Sequence, residues 1–393
     1  NDSGTFSFLQ SDTVRSLQDP TSFQITAIAT LDGGYALIYA NTIIRTLTSD
    51  NKLAAQFSEN AGIYAIMLGY NQSNTPQSFI LYQLTTPNIT FTGLYCSVDF
   101  VFIGHSCIAS LERKQTTAVP STPTNSSTFY VRIRFFSSGA ILSLDPMLPL
   151  NNGSLTNVRT LPFGGYAVIT RAYYGQNINY TLNLYNASNA LSEYDSSLKQ
   201  ITANFNGAFD VLQNNTILVA LNETTTSWQI LVADLPPLSP FSESGYGNLH
   251  VNATYPQINL KYLPLNTNMI NITFNGPIAF SDGNLYIYQK INSTFILRQL
   301  INNRYLNLLY DCGRISGGVI TLKVLSCTFN DPGGHYFIQM DNNFVKSAVY
   351  NKPILGIDQN MWSFQTNNNT SSEKNIDNSG DIRGILRLTI SGS

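Results

Sequence analysis

Charged side chains are scarce in this chain of 393 residues, in which Asp, Glu, Lys and Arg together make up only 11%. An average globular protein has about a quarter. The 21 basic and 23 acidic residues leave a net charge of −2, and they form no basic run. Such a run is what neutralises a phosphate backbone or an anionic membrane surface. The composition therefore predicts no nucleic-acid partner and a surface rich in amide and hydroxyl groups.

Long hydrophobic runs are also missing. No stretch of about 18 consecutive apolar residues occurs, and we therefore predict no membrane span. The chain opens with NDSGTFSF and not with an apolar signal core, so we expect that a signal peptide has already been removed.

Cysteine is rare and lacks the spacing of a metal site. The four cysteines form two close pairs in separate regions, Cys96 with Cys107 and Cys312 with Cys327, and no CxxC motif occurs. Close pairs favour two local disulfides, which persist in oxidising compartments. Two reduced, buried pairs are the alternative. Nothing else in the sequence indicates a metal or a cofactor, and we predict none.

Asn-x-Ser/Thr triplets are abundant, and each is an N-glycan acceptor when it lies on a surface loop of a secreted protein. A chain rich in Asn, Ser and Thr also produces many of them by chance. Together with the paired cysteines they predict a secreted glycoprotein, located outside the cell or at the cell surface. The triplets begin at Asn71, Asn88, Asn125, Asn152, Asn179, Asn186, Asn214, Asn222, Asn252, Asn271, Asn292 and Asn368, with two more at Asn1 and Asn369.

Short β-branched and aromatic runs separated by Gly, Asn, Asp and Pro dominate the chain and predict an all-β fold. A repeated unit joins a Gly-containing turn, an aromatic strand, a polar turn and a second apolar strand. It occurs in DGGYALIYAN, AGIYAIMLGYNQ, FGGYAVITRAYYG and NGAFDVLQNNTILVALN, at spacings of roughly 30 to 50 residues. We predict a β-propeller-like domain of six to eight blades over residues 1–354. Tandem β-sandwiches are the alternative, because any series of hairpins has this order of turns and strands.

Two stretches depart from the repeated pattern. Residues 116–128, TTAVPSTPTNSST, are predicted to be a loop insertion in the propeller, either between blades or as an O-glycosylated strap. Residues 355–393 are predicted to be a C-terminal extension. In it a polar spacer, FQTNNNTSSEKNIDNSGDIRG, precedes the apolar segment GILRLTISGS.

The terminal segment alternates with the period of a strand. Leu386, Leu388 and Ile390 share one face, and Ile385 lies on the other with Arg387 and Thr389. A half-apolar strand on a spacer must pair somewhere. It either closes its own sheet beside residues 5–10 or joins the sheet of a neighbouring copy, which would build filaments.

Residues for catalysis are few. His105, His250 and His335 lie in unrelated contexts, and we expect each at a turn or on the surface. No GxSxG motif occurs, and the paired glycines precede strands and not helices, so they form no phosphate cradle. We predict that the protein is not an enzyme. A propeller glycoside hydrolase stays open, because a sequence cannot show whether two carboxylates converge.

The segments DGGYALIYAN, FGGYAVITRAYYG, KPILGIDQNMWSF and GILRLTISGS together resemble a family of secreted repeat proteins from arbuscular mycorrhizal fungi. Members of that family are thought to form extracellular glycoprotein fibres on hyphae. The resemblance spans most of the chain and implies a structural role.

We therefore predict a structural subunit of an extracellular glycoprotein fibre, whose partners are further copies or close paralogues joined head to tail by strand addition. The alternative from the binding class is a secreted carbohydrate-binding adhesin or lectin, because exposed Tyr and Asn can stack on sugars and hydrogen-bond to them.

Overall fold

The fold was obtained as a computed structural model that describes residues 23–41, 61–69, 76–84, 89–114, 126–147, 153–174, 177–191, 200–201, 209–222, 227–239, 243–302 and 313–368. These residues form 25 strands and no helix, which confirms the all-β prediction. The strands make several antiparallel sheets. A closed propeller is not among the arrangements seen in the described residues, and the number of blades stays a prediction.

The first fifteen strands form four sheets in which neighbours along the chain are also neighbours in the sheet. Sheet I contains β1 (Phe23–Ala29), β2 (Tyr35–Asn41), β3 (Gly62–Leu68) and β4 (Gln77–Gln83). Sheet II contains β5 (Ile89–Asp99), β6 (Gly104–Lys114), β7 (Ser126–Phe135) and β8 (Ile141–Met147). Sheet III contains β9 (Ser154–Thr160), β10 (Tyr166–Tyr174), β11 (Asn177–Tyr185) and β12 (Gln200–Ile201). Sheet IV contains β13 (Phe209–Val211), β14 (Thr216–Asn222) and β15 (Trp228–Asp234).

One turn recurs within these sheets. The N–H of its first residue donates to the carbonyl of the fifth, and the N–H of the fourth donates to the carbonyl of the first. The fourth residue always has a positive φ, between 65° and 94°. This is a turn followed by a left-handed residue, a conformation that Gly and Asn adopt most easily. The fourth positions are Gly33, Gly139, Gly164, Asn189 and Asn215.

The four sheets are layered in chain order. Alternate strand residues of sheets I and II share one apolar core, those of sheets II and III a second, and those of sheets III and IV a third. The first strands lie side by side, with β1 against β5, β5 against β9, and β9 against β13. Each inner sheet is therefore buried on both faces.

A buried ion pair reinforces the contact between sheets II and III. The Arg132 guanidinium lies 3.5 Å from the Asp99 carboxylate, and both side chains are buried. It donates to Ser106 Oγ at 3.0 Å and to the Ala187 carbonyl at 3.1 Å, and it stacks 4.6 Å above the Tyr166 ring. Burial lowers the pKa of Arg132, and Asp99 opposes that shift. Arg132 and Asp99 both belong to sheet II, and Arg132 links this sheet to Ala187 and Tyr166 of sheet III.

From residue 243 onward the topology changes. One sheet has the order β16-β17-β22-β21 and a second has the order β20-β19-β23-β25, with a small pair of β18 and β24. Three pairs of neighbours in these sheets are consecutive strands, whereas β17 with β22, β19 with β23, β23 with β25 and β18 with β24 are not. The strands are β16 (Val251–Tyr255), β17 (Met269–Phe274), β18 (Ile278–Phe280), β19 (Asn284–Ile291), β20 (Thr294–Asn302), β21 (Gly313–Ser316), β22 (Val319–Lys323), β23 (His335–Met340), β24 (Val345–Ser347) and β25 (Ile357–Gln365).

The two larger sheets enclose a single core. Alternate residues of β17 and β22 from one sheet, and of β19, β23 and β25 from the other, belong to the same buried cluster. Trp362 is fully buried there and donates from Nε1 to the Pro256 carbonyl at 2.8 Å. We call this unit, residues 243–368, the sandwich.

The structure differs from three details of the sequence prediction. Two repeated units, 32–41 and 61–84, lie in the same sheet, so counting units overstates the number of sheets. Residues 116–128 connect two strands of sheet II and not two blades, and β7 already begins at Ser126. The predicted extension 355–393 begins inside the sandwich, because β25 pairs with β23. In each case the pattern describes hairpins, and it contains no information on which hairpins share a sheet.

Candidate functional site

The sandwich lies against the turns at one end of sheets I and II, and two depressions form along this junction. Ile103, in the β5–β6 turn, packs into the sandwich core. His250 of the sandwich forms a 2.9 Å hydrogen bond from Nε2 to the Phe100 carbonyl in the same turn. The junction is thus built from turns that the sheets hold in place.

The larger depression is a polar groove of about 840 Å³. Three turns contribute to it: the β1–β2 turn, the β18–β19 turn and the β23–β24 turn. Their carboxylates, Asp32, Asp282 and Asp341, all line the groove, and Asp32 and Asp282 are exposed. The other lining residues are Thr30, Leu31, Gly33, Ser281, Gly283, Asn342, Asn343, Lys346, Asn351 and Pro353.

Hydrogen bonds within the groove fix the orientation of its side chains. Asp341 Oδ2 accepts from the N–H and Nδ2 of Asn284 and from the Tyr286 hydroxyl, each at 3.2 Å. The Ser281 hydroxyl donates to Asn343 Oδ1 at 2.6 Å. Carboxylates and amides held in this way suit a ligand with many hydroxyl groups.

The smaller depression is apolar and encloses about 330 Å³. Phe136 stacks on Tyr350 across it at 5.6 Å between ring centroids, and Phe102, Leu142 and Pro277 complete the apolar wall. Its polar groups are few, so it lacks the convergent donors and acceptors that give a ligand site its specificity.

Two histidines lie near this junction, and the prediction that each histidine is a turn or surface residue is wrong for one of them. His105 is buried in β6, where its ring packs on Phe135 and Nε2 lies 3.2 Å from Ser137 Oγ. Burial lowers the pKa of His105 to about 4, with a smaller opposing effect from Asp32. Burial also lowers the pKa of His250. Both rings are therefore neutral at pH 7.

The described residues contain no group of three or more His, Cys, Asp and Glu side chains arranged to hold a metal ion. The same part of the chain has no helix that could span a membrane. The three carboxylates of the polar groove come from separate turns, so the sequence alone could not bring them together. The only sequence signal for them is the frequency of Asp and Asn beside Gly in turns.

One of the two predicted disulfides lies among the described residues. Cys96 and Cys107 face each other on β5 and β6 and are bridged, with 11 residues of sequence separation. Cys312 lies outside the described residues, and Cys327 is exposed. The second bridge stays a prediction. The first is the kind of bond that an extracellular compartment preserves.

The predicted glycan acceptors lie in different surroundings. Asn179 is the third residue of β11, and Asn186 follows this strand directly. Asn271 lies on the inner strand β17 and is half-buried, so we expect it to be used least. Exposed acceptors are Asn214, Asn252, Asn292 and Asn368; Asn222 ends β14; Asn71, Asn88, Asn125 and Asn152 lie outside the described residues.

The predicted assembly strand, with Ile385, Leu386, Leu388 and Ile390, also lies outside the described residues. A potential acceptor does lie within them. Sheets I, II and III each have four strands, whereas sheet IV has three, and the outer edge of its last strand, β15, pairs with no described strand.

Comparisons with known proteins identify no family. No family model matches the chain, and no curated protein matches it. A solved structure of a Ca²⁺-stabilised adhesin, described as helping an Antarctic bacterium to reach out and bind ice, is 9% identical with a TM-score of 0.15. The alignment covers 88% of this chain and 98% of the adhesin chain. A TM-score this low supports neither a shared fold nor a shared function.

Proposed function

We propose that the protein is a structural subunit of an extracellular glycoprotein fibre, and that copies join head to tail by addition of the C-terminal strand to a neighbouring sheet. This is the role that the resemblance to the fibre-forming fungal family implies. The observation that carries the proposal is the edge of β15, which pairs with no described strand, on a sheet with one described strand fewer than sheets I to III.

The path of the chain after β15 supports this edge as an acceptor. Residues 235–239 leave sheet IV, and the N–H groups of Leu238 and Ser239 both donate to the Phe163 carbonyl of sheet III, at 3.1 and 2.8 Å. Asn215 Nδ2 holds the Leu235 carbonyl at 2.8 Å. The chain therefore runs toward sheet III after β15, and the outer edge of β15, which pairs with no described strand, is a template for another strand.

The reach and composition of the C-terminal segment suit this edge. About 16 residues separate Asn368 from the segment, and at roughly 3.3 Å per extended residue they span about 50 Å. Main-chain hydrogen bonds would supply affinity, and Leu386, Leu388 and Ile390 would set the register. An added strand would bring sheet IV to the four strands of its neighbours.

The first experiment deletes residues 384–393 and measures the mass distribution by light scattering, with negative-stain microscopy of the same samples. We expect filaments from the full chain and folded monomers from the truncated chain. A full-length chain with Leu386→Lys and Leu388→Lys tests the same strand without a deletion. Filaments that persist unchanged in both variants would contradict strand addition and favour pairing in cis with residues 5–10.

A cross-link locates the acceptor. A chain with Gln229→Cys on β15 and Arg387→Cys in the segment should give a ladder of disulfide-linked oligomers on non-reducing gels. The matched control pairs Arg387→Cys with Thr294→Cys on β20, which is also an edge strand. A disulfide within single chains, without oligomers, would mean that the strand closes its own sheet. A ladder that appears only in the control would show that β20 is the acceptor.

A second candidate function is a carbohydrate-binding adhesin, which the polar groove favours. Its exposed carboxylates and amides are the groups that bind sugar hydroxyls. A glycan array should then lose its signal in an Asp32→Ala, Asp282→Ala chain and keep it in the control Asp210→Ala, where the carboxylate is exposed on sheet IV. Incubating the bound glycans with the wild type and measuring released sugar tests the glycoside hydrolase alternative in the same samples.

A further inference from the structure

The outer face of sheet I, which points away from sheet II, is apolar across all four strands. One row of residues runs through it in register: Ile25 opposite Tyr39, Tyr39 opposite Tyr64, and Tyr64 opposite Ile80. The two tyrosine rings stack at 5.3 Å. Ile25 is 57% exposed and Ile80 is 59% exposed. We call this surface the sheet I end face.

The outer face of sheet IV, which points away from sheet III, is also apolar at its centre. Ile230 lies opposite Ala220, and Val232 lies opposite Leu218. Ile230 is 65% exposed and Val232 is 61% exposed, whereas Ile217 and Val219, on the other face of β14, are fully buried. We call this surface the sheet IV end face.

The sheet I end face does not have the character of a solvated sheet, whereas the sheet IV end face carries the Asp210 and Asp234 carboxylates beside its apolar residues. An antiparallel sheet with one face in water alternates apolar and polar residues. Strands β1 to β4 read FQITAIA, YALIYAN, GIYAIML and QSFILYQ, and they contain no charged residue on either face. Sheet I is therefore built to be covered on both sides.

We propose that the sheet IV end face of one copy packs on the sheet I end face of the next copy, so that the layering of sheets continues from molecule to molecule. The occupant is a second copy because the layers inside one molecule already make this contact three times, each sheet presenting one face backward and one forward. Among the described residues no core cluster includes the exposed isoleucines and valine of the two end faces, which are the halves of a fourth such contact. The inference deepens the proposed fibre role and rests on it.

The geometry makes the assembly open and reversible. Because the two faces differ, the contact is head-to-tail, and a head-to-tail contact that does not close into a ring forms a filament. A face of four strands and seven residues measures roughly 19 by 23 Å, or about 450 Å². A standard interface buries about 800 Å² per partner. We therefore expect the face contact and the added strand to act together in one joint, with neither alone holding copies together, and filament length to rise with concentration and fall on dilution.

Two blocked variants test the polarity of the contact. Ile25→Lys with Ile80→Lys places two charges on the sheet I end face, and Ile230→Lys with Val232→Lys places two on the sheet IV end face. Each variant alone should be monomeric by analytical ultracentrifugation. An equimolar mixture should form a dimer and nothing longer, because it offers one intact face of each kind.

The control is Leu325→Lys with Val349→Lys, which changes two apolar residues of matched exposure on the sandwich, 59% and 65%. It should assemble like the wild type, and circular dichroism should show all three variants folded. Blocked variants that assemble like the wild type, or a mixture that stays monomeric, would overturn the inference. If residues 1–22 of the same chain cover the sheet I end face, the blocked variants should assemble like the wild type.

This experiment separates face packing from strand addition. Blocked faces leave residues 384–393 intact, and the truncated chain leaves both faces intact. If the truncated chain is monomeric while the blocked variants form filaments, strand addition stands and face packing fails. The two blocked variants can also be made in the chain that lacks residues 384–393. If an equimolar mixture of these shortened variants still forms only dimers, face packing does not need the strand.

Discussion

The layered sheets I to IV and the sandwich use similar strands in different ways. In the layers, each sheet is one continuous piece of chain, and both faces of the inner sheets II and III are covered by the preceding and following pieces. In the sandwich, distant strands are interleaved and all inner side chains meet in one cluster. The sandwich is complete in itself, whereas the layers leave a face at each end. The comparison teaches that the layered part can be extended and that the sandwich cannot.

Two reporters make this comparison measurable, because the chain has only two tryptophans. Trp362 lies in the sandwich core and Trp228 lies on β15. A Trp228→Phe chain therefore reports unfolding of the sandwich by fluorescence, and a Trp362→Phe chain reports sheet IV.

The largest expected effect is in the closed core. Phe329 is fully buried in the sandwich, with edge contacts to Tyr336 and Phe364 at 5.2 and 5.4 Å. Phe329→Ala should lower the free energy of unfolding by about 4 kcal/mol, through lost burial and a cavity. The change should appear in the Trp362 transition and not in the Trp228 transition. Equal shifts of both would show that the two regions unfold as one unit. Phe295→Ala, on exposed β20, is the control and should change little.

The next effect is at the contact between sheets II and III. Arg132→Met should lower the free energy of unfolding by about 3 kcal/mol, because it leaves the Asp99 carboxylate buried without its partner. Adding Asp99→Asn should restore part of the loss, since Oδ1 can still accept from Val101 and Phe102 N–H, both at 3.2 Å. The control Arg159→Met removes an exposed pair with Asp210 and should cost less than about 1 kcal/mol. Similar losses in both variants would contradict a special role for the buried pair.

A smaller effect concerns the disulfide of sheet II. Replacing Cys96 and Cys107 together by Ala should lower the free energy of unfolding by about 2.8 kcal/mol in the chain-entropy account of an 11-residue separation. Urea denaturation with and without reductant measures it. The estimate would be refuted if reductant does not change the unfolding of the wild type and if the wild type and the double variant unfold at the same urea concentration.

The smallest effect is a pH dependence confined to sheet II. His105 has its pKa lowered by burial to about 4 in the folded chain, against about 6.5 when unfolded. The unfolded chain therefore binds more protons between these values, so stability falls as the pH drops through this window. From about pH 6.5 to about pH 4.5 the loss should be about 2 kcal/mol. Asp32 and Lys352 are the charges that face this ring. A His105→Gln chain with the same pH slope would assign the loss to other groups.

Local structure could be predicted from the sequence, whereas the grouping of strands could not. The Gly-Gly turns before β2 and β10 were expected, because Gly adopts a positive φ. Asn189 and Asn215 take the same position in two further turns, but Asn is common throughout this sequence and therefore predicts a turn less clearly than Gly-Gly. The pairing of β17 with β22 depends on side chains about fifty residues apart, and the hairpin pattern contains no record of it.

The candidate sites follow the same division. The bridge between Cys96 and Cys107 was predictable because the two residues are close along the chain. The polar groove was not, since Asp32 comes from sheet I and Asp341 from the sandwich. The sheet I end face had a signal in the sequence, because strands β1 to β4 contain no charged residue.

The recurrent turn and the continuous sheets together bear on how such a chain can change over generations. Sheets I and II each span about sixty consecutive residues, sheets III and IV span fewer, and the first strands of the four sheets lie side by side. Duplication or loss of one such stretch would lengthen or shorten the array by a whole layer, and the new contact would repeat an old one. The same event inside the sandwich would separate strands that must meet. Length variation among related chains should therefore fall in the first 240 residues.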